Sequence, residues 1–223
     1  MKYRNEWKHE ISYADMLTLR SRLCAVAKRD IHTVDGKYMI RSLYFDNAAD
    51  KALREKTDGV NVREKFRIRY YNNDTSFIRL EKKSKINGLC SKVSTLLSEE
   101  QAGLIVGGVY DWMLDGDVPL LHEFYSKIMS QGLRPKTIVD YIREPFVFAP
   151  GNVRVTLDSG IRTGLGCTDF LNPSCVTVPV CNAPIIFEVK WDEFLPDIIR
   201  DAVQLPDCRA GAFSKYAACR IYG

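Results

Sequence analysis

The sequence predicts an α+β fold built on a mostly antiparallel sheet. Segments such as "KFRIR", "RLEKK", "VRVTLD" and "FEVKW" alternate polar and apolar residues, and a strand sends alternate side chains to opposite faces. Segments with helical spacing fall before, between and after runs of strands instead of alternating with them, which argues against a parallel βαβ plan. The 223 residues contain no repeat, linker or low-complexity stretch, so a single domain over 1–223 is expected. About seven or eight strands are legible, and a sheet of that size can close into a barrel with helices packed around it.

The elements follow in order. "RNEWKHEIS" places Arg4, Glu6, Lys8 and Glu10 on one parity and reads as a strand. Ser12 caps "YADMLTLRSRLCAVAKRD", where Met16, Leu19, Leu23 and Val26 have helical spacing. "KYMIRSLYFD" is rich in aromatic and β-branched residues and reads as a strand. "NAADKALREKTDG" is a short helix or turn. Two basic strands follow, joined by a hairpin at "NND". Ser98 caps a helix in "SEEQAGLIVGG", and "PLLHEFYSKIMSQGL" is an amphipathic helix stopping near Gly132. "KTIVDYIREPFVF", "NVRVTLDSGIRTG" and "APIIFEVKWDE" are strands, "LPDIIRDAVQL" is a helix, and "CRAGAFSKYAACRIYG" closes the chain as a helix or turn. "GLGCTDFLNPSCVTVPVCN" reads as a loop.

Composition bounds the class. Hydrophobic residues make up 46% and charged residues 27%, ordinary for a globular protein. Net charge is +4, from 32 Lys and Arg against 28 Asp and Glu, so a strong positive field must come from clustering. Seven cysteines without close paired spacing argue against a disulfide framework and a zinc ribbon. The plain reading is reduced, mostly buried thiols in a cytoplasmic protein. The N-terminus has no apolar core of a signal peptide, and no apolar run is long enough to span a membrane.

The charges are not scattered. Lys65, Arg67 and Arg69 alternate with Phe66, Ile68 and Tyr70, and Arg79, Glu81, Lys83 and Lys85 continue the pattern. On one strand this is a solvated face. Repeated on strand after strand it sets like charges opposite one another, which costs stability unless an anion neutralises them. If the cationic parity lines the inside of a barrel, the guest is a polyanion. Glu188 shares that parity, with Glu6, Glu10, Glu81 and Asp158 as further carboxylates able to hold a divalent metal. The role of Glu81, metal ligand or holder of an arginine, stays open.

These residues carry a resemblance. "EWKHEIS", "SLYFDN" with "LREK", "KFRIRYY", "IRLEKKSK", "SK" before "VST", "DYIREPF", "VRVTLDSGIR", "IIFEVKW" and "FSKY" occur in the order found in VTC-type polyphosphate polymerase domains. These domains belong to the triphosphate tunnel metalloenzyme, or CYTH-like, superfamily. The resemblance runs from about residue 3 to 220. It implies an antiparallel β-barrel tunnel that binds ATP or another triphosphate and a growing polyphosphate chain. Carried over by position, the catalytic set is Arg67, Arg69, Lys83, Arg143, Arg154 and Lys215. The phosphate-binding set is Lys8, Arg54, Lys92, Tyr141, Lys190 and Ser214. Lys56, Lys82 and Lys85 are neighbouring alternatives to Lys8, Arg54 and Lys92. Glu188 matches the metal-binding glutamate, for Mn²⁺ or Mg²⁺. An SPX domain like that of fungal members is not expected, and a membrane-protein partner for product transfer is implied by those members alone. The first strand departs from the ExExK of many superfamily hydrolases, which speaks for the VTC type.

The resemblance implies transfer of the terminal phosphate of ATP to polyphosphate. The alternatives are an inorganic or nucleoside triphosphatase using the same tunnel, and a non-catalytic polyphosphate-binding module. Nucleic acid is not expected as a partner, because Tyr70 takes the opposite parity from Arg67 and Arg69. Trp7, Trp112 and Trp191 read as packing residues and His122 as structural. "GLGCTDF" lacks the strand–loop–helix context of a phosphate loop.

Overall fold

Alternation and capping determine where each element starts and stops. The computed structural model describes residues 4–87, 89–206 and 211–221. The chain runs β1 (Asn5–Ile11), α1 (Tyr13–Val26), β2 (Lys28–Arg29), β3 (Tyr38–Asp46), α2 (Lys51–Thr57), β4 (Val62–Tyr71), β5 (Asp74–Ile86), β6 (Leu89–Leu97) and α3 (Glu99–Val106). It continues through α4 (Pro119–Gln131), β7 (Arg134–Phe148), β8 (Val153–Thr163), β9 (Val178–Pro179), β10 (Ile185–Trp191), α5 (Asp197–Ala202) and α6 (Lys215–Ile221). The α+β class expected from the sequence holds, and the registered strand pairs are antiparallel. No helix among the described residues is long and apolar enough to cross a membrane.

The chain forms two compact units. The first comprises Met1–Met39, Tyr141–Ile161 and Asn182–Phe213. Its strands run in the order β1-β10-β8-β7, with β2 on β7. One face of this sheet buries Ile11, Phe146, Val153, Val155, Leu157, Phe187 and Val189. Met16, Leu19 and Leu23 of α1 and Ile199 of α5 pack on it. The α1 N-terminus carries the capping box that Ser12 suggested: the Ser12 hydroxyl accepts from the Asp15 N–H, and Asp15 accepts from the Ser12 N–H. The helix stops at Val26, short of the sequence expectation, because Lys28 and Arg29 pair with Val147 and Phe146.

The second unit comprises Ile40–Asp140, Arg162–Cys181 and Ser214–Gly223. Its strands run β7-β3-β4-β5-β6, with β9 on the end of β8. Phe66, Ile68, Tyr70, Ile78 and Leu80 form its buried face against Ala102 and Ile105 of α3 and Phe124 and Ile128 of α4. The hairpin falls at "NND" as expected: Asn72 and Asn73 both have positive φ, 50° and 58°. Asn tolerates that conformation, and two such residues in a row suit the twist of the paired strands. β6 went unread in the sequence, since "LCSKVSTLL" mixes small polar residues into its alternation. The "GLGCTDFLNPSCVTVPVCN" segment is more ordered than a plain loop: Phe170 is fully buried and Val178–Pro179 pairs with β8. Trp7 corrects the packing expectation. It is 40% exposed and meets Trp191 edge-on at 4.8 Å.

Candidate functional site

In the first unit, register decides which charges meet. Lys8 of β1 lies opposite Glu188 of β10, and Glu6 opposite Lys190. Lys190 in turn faces Arg154 of β8. The Lys8 ammonium lies 2.9 Å from Glu188 Oε2 and 3.1 Å from Glu6 Oε1. Lys190 lies 2.7 Å from Glu188 Oε1 and 3.4 Å from Glu6 Oε2. Burial disfavours the Lys8 charge, but Glu188 and Glu6 outweigh it and raise its pKa. Burial and Glu188 push the Glu6 carboxyl up, yet Lys8 and Lys190 prevail and it titrates below its ordinary value.

Arg143 of β7 donates two hydrogen bonds to Asp158, from Nε at 2.6 Å and Nη2 at 2.7 Å. Its guanidinium sits 5.5 Å from the ring centre of buried Tyr141. Arg154 donates to Asp30 and to the Tyr38 hydroxyl, both at 2.8 Å. All the sequence-predicted residues of this unit therefore lie on β1, β7, β8 and β10, and each cation has a carboxylate partner.

The second unit is organised around Glu81, which has no exposed surface. Arg67 Nε donates to Glu81 Oε2 at 2.8 Å, and Lys92 Nζ lies 2.8 Å from Oε1. Arg69 Nη1 is 3.9 Å away, while its Nε donates to Ser42 Oγ at 3.0 Å. Burial pushes the Glu81 carboxyl up, but Arg67, Arg69 and Lys92 hold it far below the usual carboxylate range. Glu81 therefore stays ionised and positions arginines. Arg67 also donates to the Tyr44 hydroxyl at 2.7 Å. Burial raises that phenol, but Arg67, Lys65 and Arg69 outweigh it and bring it down to about 8.

Lys65 of β4 faces Lys83 of β5, and Lys83 faces Lys92 of β6. Three lysines are thus register partners across three adjacent strands, and the Lys92 ammonium is matched by Glu81. Ser214 is buried just before α6, and its hydroxyl lies 3.4 Å from Lys65 Nζ. Lys215, half-buried, begins α6. Arg54 is exposed on α2. Lys82 is excluded as an alternative, because it points to the packing face and pairs with Glu64 and Glu123.

Sequence reasoning missed Lys65 and Arg79 as site members, although both share the parity of Arg67. Arg79 donates to Ser94 Oγ at 3.3 Å. It also missed the positioning groups Asp30, Tyr38, Ser42 and Tyr44, which only register identifies. Among the described residues no three His, Cys, Asp or Glu side chains gather into a metal cluster. Glu188 and Glu6 do supply adjacent carboxylate oxygens, the donor chemistry that a hard divalent ion takes. Those oxygens are matched here by Lys8 and Lys190, so the donor set fits such an ion only where the lysines are otherwise engaged.

A family model described as the VTC domain matches residues 3–221. No curated protein matches the chain. Among solved structures, the chain is similar to a putative adenylate cyclase from Bacillus halodurans. The TM-score is 0.52 at 16% identity, covering 85% of this chain and 80% of that one, which shows a shared fold. Two proteins from Pyrococcus horikoshii OT3 align over 90% of this chain and 84% and 85% of theirs. Their TM-scores are 0.44 and 0.45, at 15% and 11% identity.

Proposed function

The chain belongs to the VTC domain family, and from that premise we propose that it is a polyphosphate polymerase. It transfers the terminal phosphoryl group of ATP to a growing inorganic polyphosphate chain. The observation that carries this reading is the Lys65–Lys83–Lys92 row beside Arg67 and Arg69. Such a row suits a guest with closely spaced repeating negative charge.

Phosphoryl transfer asks a protein mainly for in-line positioning and charge neutralisation. Arg67, Arg69, Arg143 and Arg154 offer planar forks for phosphate oxygens, and their carboxylate partners hold those forks in orientation. Lys83, Lys92 and Lys215 neutralise the leaving diphosphate and the incoming chain. Lys8, Lys190, Tyr141, Arg54 and Ser214 complete the phosphate contacts. The attacking oxygen belongs to a terminal phosphate and is already anionic, so no general base is needed. The oxygen forms a bond to the γ-phosphorus, the bond to the β-phosphate oxygen breaks, and ADP leaves. Glu188, with Glu6 beside it, is assigned to Mn²⁺ or Mg²⁺, which when bound would neutralise triphosphate charge.

The test is incubation of the purified chain with ATP and Mn²⁺, followed by gel staining for polyphosphate. A ladder of long polymer that a polyphosphatase removes is the expected result. Free phosphate without polymer would identify a triphosphatase. Absence of ATP turnover with either metal would identify a binding module.

A further inference from the structure

Two of the cysteines are not isolated thiols. Cys167 Sγ and Cys175 Sγ lie 3.0 Å apart, against about 2.05 Å for a disulfide bond. Both side chains are half-buried. The approach is built from both sides. At the first cysteine, the Gly164 N–H donates to Ile138 O at 2.9 Å and the Cys167 N–H to Gly164 O at 2.8 Å. A Cβ on Gly164 would stand 3.0 Å from Ile138 Cβ and 3.1 Å from Cys167 O, so a side chain there would press on both neighbours. At the second, the Cys175 N–H donates to Asn172 O at 3.0 Å. Arg41 donates to the carbonyls of Asn172 at 2.7 Å and Cys175 at 3.3 Å. Arg41 is itself buried and held by Asp140 through bonds of 3.0 and 2.9 Å. Between the cysteines, Phe170 is fully buried against Tyr70, whose hydroxyl donates to Phe170 O at 3.0 Å. The segment is therefore anchored at both ends and in the middle.

We propose that Cys167 and Cys175 form a reversible intrachain disulfide, with a low-molecular-weight disulfide such as oxidised glutathione as the oxidant. The thiolate of one cysteine attacks the small disulfide, forming a mixed disulfide and releasing one small thiol. The second cysteine sulfur then attacks the first, forming the protein disulfide and releasing the second small thiol. Two protein thiols are oxidised, one small disulfide is reduced to two thiols, and two protons leave with them. Burial and then Cys167 push the Cys175 thiol up to about 11, so Cys175 is a poor entering thiolate at neutral pH. Cys24, Cys90 and Cys181 are exposed and Cys219 is buried.

The experiment treats the full chain with oxidised glutathione, blocks remaining thiols, and digests with trypsin and a protease that cuts before aspartate. Cleavage after Arg162 and Lys190 and before Asp169 separates Cys167 from Cys175, but leaves Cys181 on the same peptide as Cys175. The Cys181→Ser variant removes that ambiguity. The expected result is a linked pair of peptides, lighter by two hydrogens and separated by dithiothreitol, in wild type and Cys181→Ser but not in Cys175→Ser. Oxidation should also raise the thermal midpoint of wild type and Cys181→Ser. A link absent from Cys181→Ser, or glutathione adducts on single cysteines without any link, would overturn the proposal. Should Cys175→Ser fail to fold, the Cys181→Ser result decides alone.

Discussion

The charged face around Glu188 and the one around Glu81 grow from the same strand alternation and balance their cations differently. Around Glu188 every cation has a carboxylate: Lys8 and Lys190 share Glu188 and Glu6, Arg143 has Asp158, and Arg154 has Asp30. Around Glu81 one buried carboxylate is shared by Arg67, Arg69 and Lys92. Lys65 and Lys83 lie beside them in cross-strand register. The first face is close to neutral and offers carboxylate oxygens. The second gathers three cations on one buried anchor. Matched pairs hold geometry, whereas cations that share one carboxylate concentrate positive potential where an anion can bind.

The largest expected effect separates the two carboxylates by their burial. Glu81→Gln leaves Arg67 and Arg69 buried with uncompensated charge, which costs about 3 kcal/mol or more. Glu188→Gln faces Lys8 and Lys190, whose side chains keep 24% and 29% exposure, so water answers part of the loss. Its cost is about 1 kcal/mol. Urea unfolding of both variants at neutral pH measures the difference. The Glu81 contribution also has a pH sign. Its folded pKa is lowered, so its stabilisation is full above the unfolded carboxylate value of about 4.3 and fades as pH falls. Wild type should therefore converge on Glu81→Gln in acid. Equal losses for the two variants at neutral pH would erase the distinction between an anchor and a matched pair.

The next effect concerns the guest. Replacing Arg67 and Arg69 together by Ala removes two forked donors, each worth about 1.5–3 kcal/mol in a charged hydrogen bond. Tripolyphosphate binding by calorimetry should weaken roughly 100-fold or more. Replacing Lys8 and Lys190 together removes cations already neutralised by Glu188 and Glu6. Metal-free binding should then fall by less than about tenfold. A loss as large as that of the arginine pair would show that neutrality on the Glu188 face is no guide to binding.

Much of this contrast was legible in the sequence because parity is a property of the chain alone. The alternation around Arg67 and Phe66 correctly separates a polar face from the one packed on Phe124 and Ile105. Parity does not supply register. Nothing in "RLEKK" says that Glu81 stands opposite Arg67 and that Lys83 stands between Lys65 and Lys92. That knowledge turns Glu81 from a possible metal ligand into a positioning group. Tyr44 and Asp30 were silent for the same reason, since their partners lie far away in sequence. Arg54 was reached by motif match alone, since parity says nothing about a residue exposed on a helix.

The smallest expected effect probes the cations around Glu81 through Tyr44. Its phenol accepts a hydrogen bond from Arg67 and is brought down to about 8 by Arg67, Lys65 and Arg69 against the opposing effect of burial. Above that pH the phenolate becomes an internal anion and answers part of the charge that a phosphate would otherwise answer. Tripolyphosphate affinity relative to Tyr44→Phe should fall a few-fold between pH 7 and 9, on the order of 1 kcal/mol. Taking the ratio of wild type to variant cancels the ligand's own titration. Stability moves the other way. The folded pKa lies below the unfolded value of about 10, so the gain is absent below pH 8, grows between 8 and 10, and is complete above. One proton should thus weaken binding while strengthening the fold, and Tyr44→Phe should flatten both curves. If affinity and stability of wild type and variant run in parallel across that range, the arginines beside Glu81 are already balanced. The sharing of Glu81 among three cations would then be no guide to where an anion binds.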